Sequence, residues 1–525
     1  MKPIGLFVFI LLAVSAGLIH AQVSFQKRID IESWARAYSI GETPDAGFLI
    51  TGFTSVNALG MAKDTPYALR ITPEGGVAWI HSFGLLNGYG YMRSFLFTDG
   101  SFIIILEDAF AENSQFIKCD PSGKVLWSKS YAGSVNAIAG SDNRSFALAG
   151  YAGLISFLDS NGVLIWSQTI GAPTMTTAAL IQTTGNGYAL VQGKPDDGGI
   201  WLTQLSAQGQ IQWTKYFSAP NQKFIPQGIL LSSDNGLVIA GGIETDSTGR
   251  DTDIAIIKFN STGGLLWSKE IGMFRNAMAT SITETNDGDL VITGYSSSSF
   301  RSPGASNDSI IMADITQIGV MKYAAILGLS GMSARASAST RTTGNTFAIL
   351  GNMRQDFKSD TPVNSIFIAK HLANSNDNCN LRIAPFSIKD VGSVIDSVLS
   401  AQKASPTISS GAAFAMPLTM YNTSDLCSNS FISALAEPSF SLSLSPNPLH
   451  SSEPLTIHPD NLPQGKYDLR ISNLLGNVLI KKKINLEGVQ DISLDVSRLG
   501  SGAFIVEMQI ENESGKIYRA KFVKE

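Results

Sequence analysis

Charge, histidine and cysteine are all scarce in this chain. Asp, Glu, Lys and Arg make up 15% of its 525 residues, against about 25% in an ordinary soluble domain. A net charge of −5 leaves no basic stripe for a nucleic-acid partner. The lone run Lys481-Lys482-Lys483 reads as a solvated strand edge. One of the five histidines, His20, lies in the N-terminal apolar segment, and His81, His371, His450 and His458 are far apart along the chain. His81 and His371 are expected at solvated strand ends, so a histidine metal site or a Ser-His-Asp arrangement is hard to assemble.

The common catalytic and nucleotide signatures are missing too. There is no G-x-x-x-x-G-K-[ST], no G-x-S-x-G and no H-E-x-x-H, and Gly88-Tyr89-Gly90 lacks a third glycine. No residue is therefore assigned a catalytic, cofactor-binding or metal-binding role, and no cofactor is expected. Carboxylates are harder to dismiss, because a glycoside hydrolase needs only two at the right separation. Asp246, Asp251 and Asp253 in ETDSTGRDTD do not have EF-hand spacing and read as solvated loop acids.

Only three cysteines occur: Cys119, Cys379 and Cys427. The last two share one non-repetitive region, and a disulfide between them would contribute about 4 kcal/mol in an oxidising compartment. Cys119 aligns with Phe259 and Leu158 in the repeats described next, so it reads as a small buried apolar residue.

Long apolar runs are confined to the N-terminus, MKPIGLFVFILLAVSAGLIHAQ. Lys2 precedes an apolar stretch over 5–19, and Ala21 offers a small residue before a cut. Spanning a bilayer takes about 20 apolar residues, so residues 1–21 read as a secretory signal peptide and not an anchor. No cysteine follows the run to carry a lipid, and no other segment is expected to span a membrane.

What the chain has in abundance is repetition. GGLLWSKEIG (263–272) returns as SGKVLWSKSY (122–131), NGVLIWSQTI (161–170) and QGQIQWTKYF (208–217), and more loosely as GGVAWIHSFG (75–84). A second signature, an apolar run closed by glycine, recurs as GFLITGF, FALAGY, GYALVQG, GLVIAGG, LVITGY and FAILG, with FIIIL (102–106) as a degenerate copy. The spacing of roughly 43 to 57 residues signals propellers or arrays. Period-two apolar alternation with Gly, Asn and Asp turns makes each unit a four-stranded meander. One such sheet cannot bury both faces, whereas blades packed about an axis can, with the Trp filling the gap between them. Residues 277–328 give the fullest copy, with Tyr323 at the Trp position.

The seventh copy ends at SIFIAKH (365–371) without a Trp strand. VSFQKRID (23–30) aligns with LLWSKEIG (265–272), matching Phe25 to Trp267, Lys27 to Lys269 and Ile29 to Ile271. The expectation is an all-β, seven-bladed propeller over residues 22–371, closed by its N-terminal strand. The turns PSGK, SNG and STGG resemble the docking turns of quinoprotein propellers, and they are also what any tight hairpin needs. As a whole the repeats are similar to seven-repeat propellers of secreted Bacteroidetes-type proteins.

From residue 438 the sequence reads as a small Ig-like β-sandwich of about seven strands. Ser445-Pro446-Asn447-Pro448, Tyr467 to Gly476, Ile492-Ser493-Leu494, Leu499, Gly502 and Lys521-Phe522-Val523-Lys524 resemble the type A C-terminal sorting domain of the type IX secretion system. Phe504 stands where that family usually has Tyr. The resemblance implies passage through both membranes, type IX secretion machinery as partner, and a secreted or cell-surface destination. Residues 372–437, including SAQKASPTISSGAAFA (400–415), read as a β-containing linker. Asp308-Ser309-Ile310 and Asp396-Ser397-Val398 resemble Bacteroidetes O-glycosylation sites. Two functions are expected of the propeller: a module binding glycan or protein, or alternatively a polysaccharide hydrolase or lyase with carboxylates in its channel. The first is favoured.

Overall fold

The computed structural model is built of β-strands almost throughout. It describes residues 25–426 and 441–524, apart from 32–34, 57–62, 85–90, 108–112, 142–143, 173, 194–197, 246–250, 273–275, 298–307, 328–331, 344–345, 356–363, 373–380, 384–385, 398, 411–412, 419–420, 451–452, 461–464, 474–476, 487–490 and 511–516. Two compact units divide between Cys427 and Ser428. The N-terminal apolar segment, Cys379 and Cys427 lie outside the described residues.

In the first unit the described residues form seven sheets of five strands each. Sheet 5 is representative, with strands Lys223–Leu231, Leu237–Glu244, Thr252–Phe259 and Leu265–Gly272 in antiparallel order. Its second and third strands are buried along nearly their whole length. Both faces are covered there, so these strands carry continuous Val/Ile/Leu runs and only the outer strand alternates. Sheets 1 to 6 begin with Ala35–Glu42, Tyr91–Leu96, Val135–Gly140, Thr176–Gln182, Lys223–Leu231 and Asn276–Glu284. Sheet 7 takes Met332–Arg341, Thr346–Gln355 and Asn364–Leu372, and its fourth strand is Phe25–Ile31 from the other end of the chain. Phe25 sits opposite Lys370, as Trp267 sits opposite Lys258 and Trp127 opposite Lys118. The sequence alignment of 23–30 with 265–272 therefore reappears as strand register.

The repeated Trp motif joins one sheet to the next. The indole N–H groups of Trp127, Trp166 and Trp267 donate to the carbonyls of Ser160, Ala207 and Gln317 in the following sheet's last hairpin, at 3.3, 3.1 and 2.9 Å. The ring covers the glycine of that hairpin: a β-carbon at Gly319 would lie 3.0 Å from Trp267. Gly319 has φ +81°, a left-handed conformation that costs other residues about 1–2 kcal/mol. The residue two after the Trp completes the clamp, as Lys129 Nζ donates to Gly162 O at 2.9 Å. Between sheets 7 and 1 the same arrangement recurs with Phe25 and Lys27 over Gly75. The hairpin turns are thus tight turns and docking surfaces at once. First strands pack side by side in order, and Met332–Arg341 packs beside Ala35–Glu42.

The fifth strands come from one continuous segment. Leu381–Ile383, Ser387–Asp390, Ser393–Ser397, Ala401–Lys403, Ile408–Ser410, Phe414–Pro417 and Tyr421–Asp425 add to the outer edges of sheets 6, 5, 4, 3, 2, 1 and 7, in that order. The sequence reading expected β-structure in this region but none of these partners, and four strands per sheet, not five. Between its strands this belt presses apolar residues into the clefts between sheets. Leu399 enters the core between sheets 3 and 4, Ile408 that between 2 and 3, Leu418 that between 7 and 1, and Leu426 that between 6 and 7. Its acids meet the motif lysines directly across the ladder: Lys27 with Asp425 at 2.9 Å, Lys269 with Asp390 at 2.6 Å, and Lys215 with Asp396. These outer acids are well exposed, so each pair contributes about 0.2–1 kcal/mol.

The second unit has seven described strands in two sheets, one of three and one of four. Tyr467, Leu469 and Ile471 from the YDLRISNLLG motif are buried in its core beside Leu499 and Phe522. Phe504 stacks on Phe522 with centroids 5.3 Å apart, so at this position the ring packs without needing a hydroxyl. Lys524 is buried and donates to Val496, Ser497 and Leu499 carbonyls at 2.9, 3.1 and 2.6 Å. Lys481, Lys482 and Lys483 are exposed on the edge strand Val478–Leu486, as expected.

Removing a clamp ring should be costly. Trp267→Ala is expected to lower the unfolding free energy by about 3 kcal/mol. Gly319→Ala should cost about 1–2 kcal/mol through its backbone and push against the indole. Urea unfolding of both single variants and the double variant should show sub-additive losses, since they disrupt one contact. Strict additivity would mean that ring and turn do not support each other.

Candidate functional site

Opposite the Trp position, the third strand of several sheets carries a long polar side chain tied to its own first hairpin. Arg70 reaches Asp45, and Lys258 reaches Asp234 and Gln317. Burial lowers the Arg70 pKa, opposed by Asp45. For Asp45 burial works upward, but hydrogen bonding from Thr43 and the Arg70 charge bring the carboxyl below its usual range. Lys118 lies 3.2 Å from the Phe97 ring centroid, and burial brings it down to about 8 against the pull of Asp99. In sheet 6 the position holds an acid. Asp314 is buried, and burial followed by the neighbouring Asp289 pushes it up to about 6, partly offset by Lys322. Cys119 is buried as a free thiol, pushed up by the same loss of solvent.

Two first-strand carboxylates are engaged in structural bonds. Glu42 accepts from the Thr343 N–H at 2.9 and 2.8 Å and from its hydroxyl at 3.0 Å. Glu284, at the matching strand end in sheet 6, accepts from the Ser233 N–H at 2.9 Å and from Gln317. Each acid thus holds the first hairpin of a neighbouring sheet. Six of the first strands bulge, leaving Tyr38, Asn136, Ala178, Gln227, Thr280 and Ser337 outside the ladder. None of these bulged residues is acidic.

The histidines fall differently from expectation. His81 lies within strand Val77–Gly84, in the place of the motif lysine, stacked on Trp79 at 4.6 Å. His371 is fully buried against Phe347 and not solvated, because third strands are covered on both faces. In the tail, His458 Nε2 lies 2.7 Å from Ser445 Oγ and its Nδ1 lies 2.7 Å from Asp491. That trio, which looked unassembled in sequence, ties together the three-stranded sheet. Asp491 is 59% exposed and His458 33% exposed, so the trio is open to water. Of the loop acids, Asp246 lies outside the described residues and Asp251 accepts from Thr245. Among the described residues no group of three His, Cys, Asp or Glu could hold a metal ion. Asp308 is buried and paired with Arg335, while Asp396 and Ser397 lie on the belt.

The residues that sequence reasoning missed line a pocket of about 450 Å³. They are Arg36 at the start of sheet 1 and Ser333, Arg335, Asn352, Arg354 and Asn364 of sheet 7, joined by Asp308 beside sheet 6, which the sequence offers only in an O-glycosylation pattern. Arg335 faces Asn352, Ser333 faces Arg354, and Arg354 faces Asn364 across neighbouring strands. Period-two geometry puts these five side chains on one face of sheet 7. Arg36 and Arg335 hold the same register position, one residue before the pair that precedes the bulge. Nε of Arg335 donates to Asp308 at 2.6 Å while its guanidinium lies 4.2 Å above Tyr295, and its Nη2 is buried without a hydrogen bond. Asn352 clamps sheet 1 by bonding both the N–H and the carbonyl of Ala37, at 2.7 and 2.9 Å. A second pocket of about 470 Å³, with Phe157, Trp166 and Tyr188 in its wall, lies between sheets 3 and 4.

Residues 443–525 match the secretion system C-terminal sorting domain, and residues 114–315 match the repeat family described as outer membrane protein assembly factor BamB. The chain thus carries a type IX sorting tail, which indicates export to the cell surface or beyond, behind a propeller-type repeat region. No curated protein matches it. Among solved structures, a Dyadobacter fermentans protein of unknown function is similar at 9% identity and TM-score 0.37, over 66% of this chain and 98% of that one. The extracellular domain of a putative hybrid two-component system from B. thetaiotaomicron is similar at 7% identity and TM-score 0.23, over 93% and 72%. No helix among the described residues is long and apolar enough to cross a membrane.

Asp314 supplies a pH test. Burial pushes its folded pKa up to about 6, well above the usual carboxylate range. The folded chain therefore holds this proton more tightly, and that stabilisation is lost as pH rises through 6. Asp314→Asn should raise the melting temperature at pH 7.5, and the gain should vanish below pH 4. A variant equally affected at both pH values would show that the charge is not the cause.

Proposed function

We propose that this chain is an exported binding module: a seven-bladed β-propeller closed by its N-terminal strand, belted by residues 381–425, and delivered outside the cell by its C-terminal sorting domain. Three features support closure. The clamp over Gly75 repeats between sheets 7 and 1, Glu42 holds the sheet 7 hairpin as Glu284 holds that of sheet 5, and the belt passes from sheet 1 to sheet 7 across three residues. The belt's length agrees. About 45 residues at about 3.3 Å each span about 150 Å, the circumference of a circle of radius about 24 Å. Four inter-strand steps of about 4.8 Å use about 19 Å of that radius and leave a narrow channel.

In this reading residues 1–21 are a removed signal peptide, the propeller extends from 22 through the belt to 427, and 438–525 are the sorting domain. The observation that carries binding over hydrolysis is the contrast between carboxylates and arginines. Glu42 and Glu284 hold neighbouring hairpins, while three arginines and a single carboxylate line one pocket. The test is to incubate the mature protein with a polysaccharide and glycoprotein panel and to analyse products as well as binding. Bound, intact ligand is expected, and shortened ligand would make this an enzyme.

Cys379 and Cys427 stand two residues outside the belt's first and last strands, which lie on adjacent sheets 6 and 7. A disulfide between them would clasp the belt into a hoop. Non-reducing peptide mapping of exported protein should recover the 379–427 crosslink, and reduction should lower the melting temperature. Two free thiols at these positions would remove the clasp.

A further inference from the structure

We infer that the arginine pocket at the junction of sheets 6, 7 and 1 is the ligand site, and that it takes an acidic sugar residue carrying a carboxylate or sulfate. The inference rests on the binding reading above and specifies its chemistry. Three guanidinium groups, Arg36, Arg335 and Arg354, converge on a cavity of about 450 Å³ whose lining holds one carboxylate, Asp308. That excess of positive charge stands in a chain whose net charge is −5. It is therefore a local device and not a general attraction for anions. Asp308 is already bonded to Arg335 Nε, and the buried Nη2 of the same group still has a hydrogen to donate.

Guanidinium is the side chain that grips planar oxyanions through paired N–H donors. Sheet geometry explains why these groups aim together. Ser333 and Arg335 alternate on one strand and Asn352 and Arg354 on the next, so all four leave the same face. Arg36 arrives from the equivalent position of the adjoining sheet, whose spacing from sheet 7 is fixed by the Asn352 amide on Ala37. The anion site thus forms only when sheets 7 and 1 are docked.

The remaining lining decides between sugar and peptide. Apolar contributions are limited to Ala35 and Met353, so an acidic peptide would find little for its own apolar side chains. Asn364 and Ser333 offer the mixed donors and acceptors that suit sugar hydroxyls. The volume lies within the range of small-ligand sites, about 300–1,000 Å³, and fits one or two sugar rings.

The experiment is calorimetric titration of the mature full-length protein with galacturonate tetramer, chondroitin sulfate tetramer, neutral cellotetraose and a tetraglutamate peptide. Acidic sugars should bind and neutral cellotetraose should not, with affinity falling severalfold as salt rises from 50 to 500 mM. Arg36→Ala with Arg354→Ala should weaken acidic-sugar binding at least tenfold at an unchanged melting temperature. The corresponding double Lys variant should recover part of the loss, since charge returns without the fork. The salt series on the unaltered protein stands even if the double variant folds poorly. Binding of neutral sugar unaffected by either variant would overturn the acidic-sugar site but leave the binding module intact. Tetraglutamate bound in preference would replace the sugar with a peptide. Failure of every panel member to bind would overturn the acidic-sugar site, while the polysaccharide and glycoprotein panel decides the binding reading separately.

Discussion

The whole first unit depends on one constraint: its sheets are apolar on both faces. Strands such as Leu237–Glu244 and Phe102–Glu107 are buried almost throughout, so no sheet can stand with only one neighbour. Each sheet must therefore be covered by a neighbour on either side. The Trp clamp is the directional part of the solution. Hydrophobic burial pushes sheets together without fixing their offset, whereas an indole N–H on one turn carbonyl and a ring over one glycine define it. Repeating that contact fixes the angle between successive sheets.

Face-to-face packing covers the sheets' faces but leaves seven outer edges, each a row of open backbone groups. The belt answers this, and strand twist lets it. Adjacent strands rotate by about 20–25°, so a fifth strand lies roughly 80–100° from the first. If first strands run along the axis, fifth strands run around the circumference, and one extended segment can serve all of them. Its strand starts fall six to eight residues apart. The new outer edge is broken into pieces of three to five residues, too short and interrupted to template aggregation.

How much of this the sequence disclosed follows from where periodicity lives. The meanders, the Trp position and the match of Phe25 to Trp267 were legible because each element repeats a pattern set by the same neighbours. The tail was legible because its motif residues, such as Tyr467 and Leu499, are core residues in a fixed order. The belt was not, since strands of three to five residues bonded on one edge need little apolar periodicity of their own. A trace was there in Leu399, Ile408, Leu418 and Leu426, recurring every eight to ten residues, but the surrounding Ser and Ala masked it. His371 misled because polarity suggested exposure, and position within a covered sheet decided otherwise.

The arginine pocket was the least legible part, because its residues come from both ends of the repeat region. Arg36 and Arg335 are 299 positions apart, and only docking of sheet 1 against sheet 7 makes them neighbours. Sheet 7 is also where the repeat is least regular, since its fourth strand arrives from the N-terminus and it lacks a hairpin to dock. Equivalent positions in sheet 6 hold Met278 and Tyr295, a thioether and a phenol ring in place of a guanidinium and an amide. Where the repeat relaxes, the same two positions carry Arg335 and Asn352 instead. One cleft in a series of near-equivalent ones thereby differs in charge, and it exists only where the Asn352 amide holds sheet 1 against sheet 7.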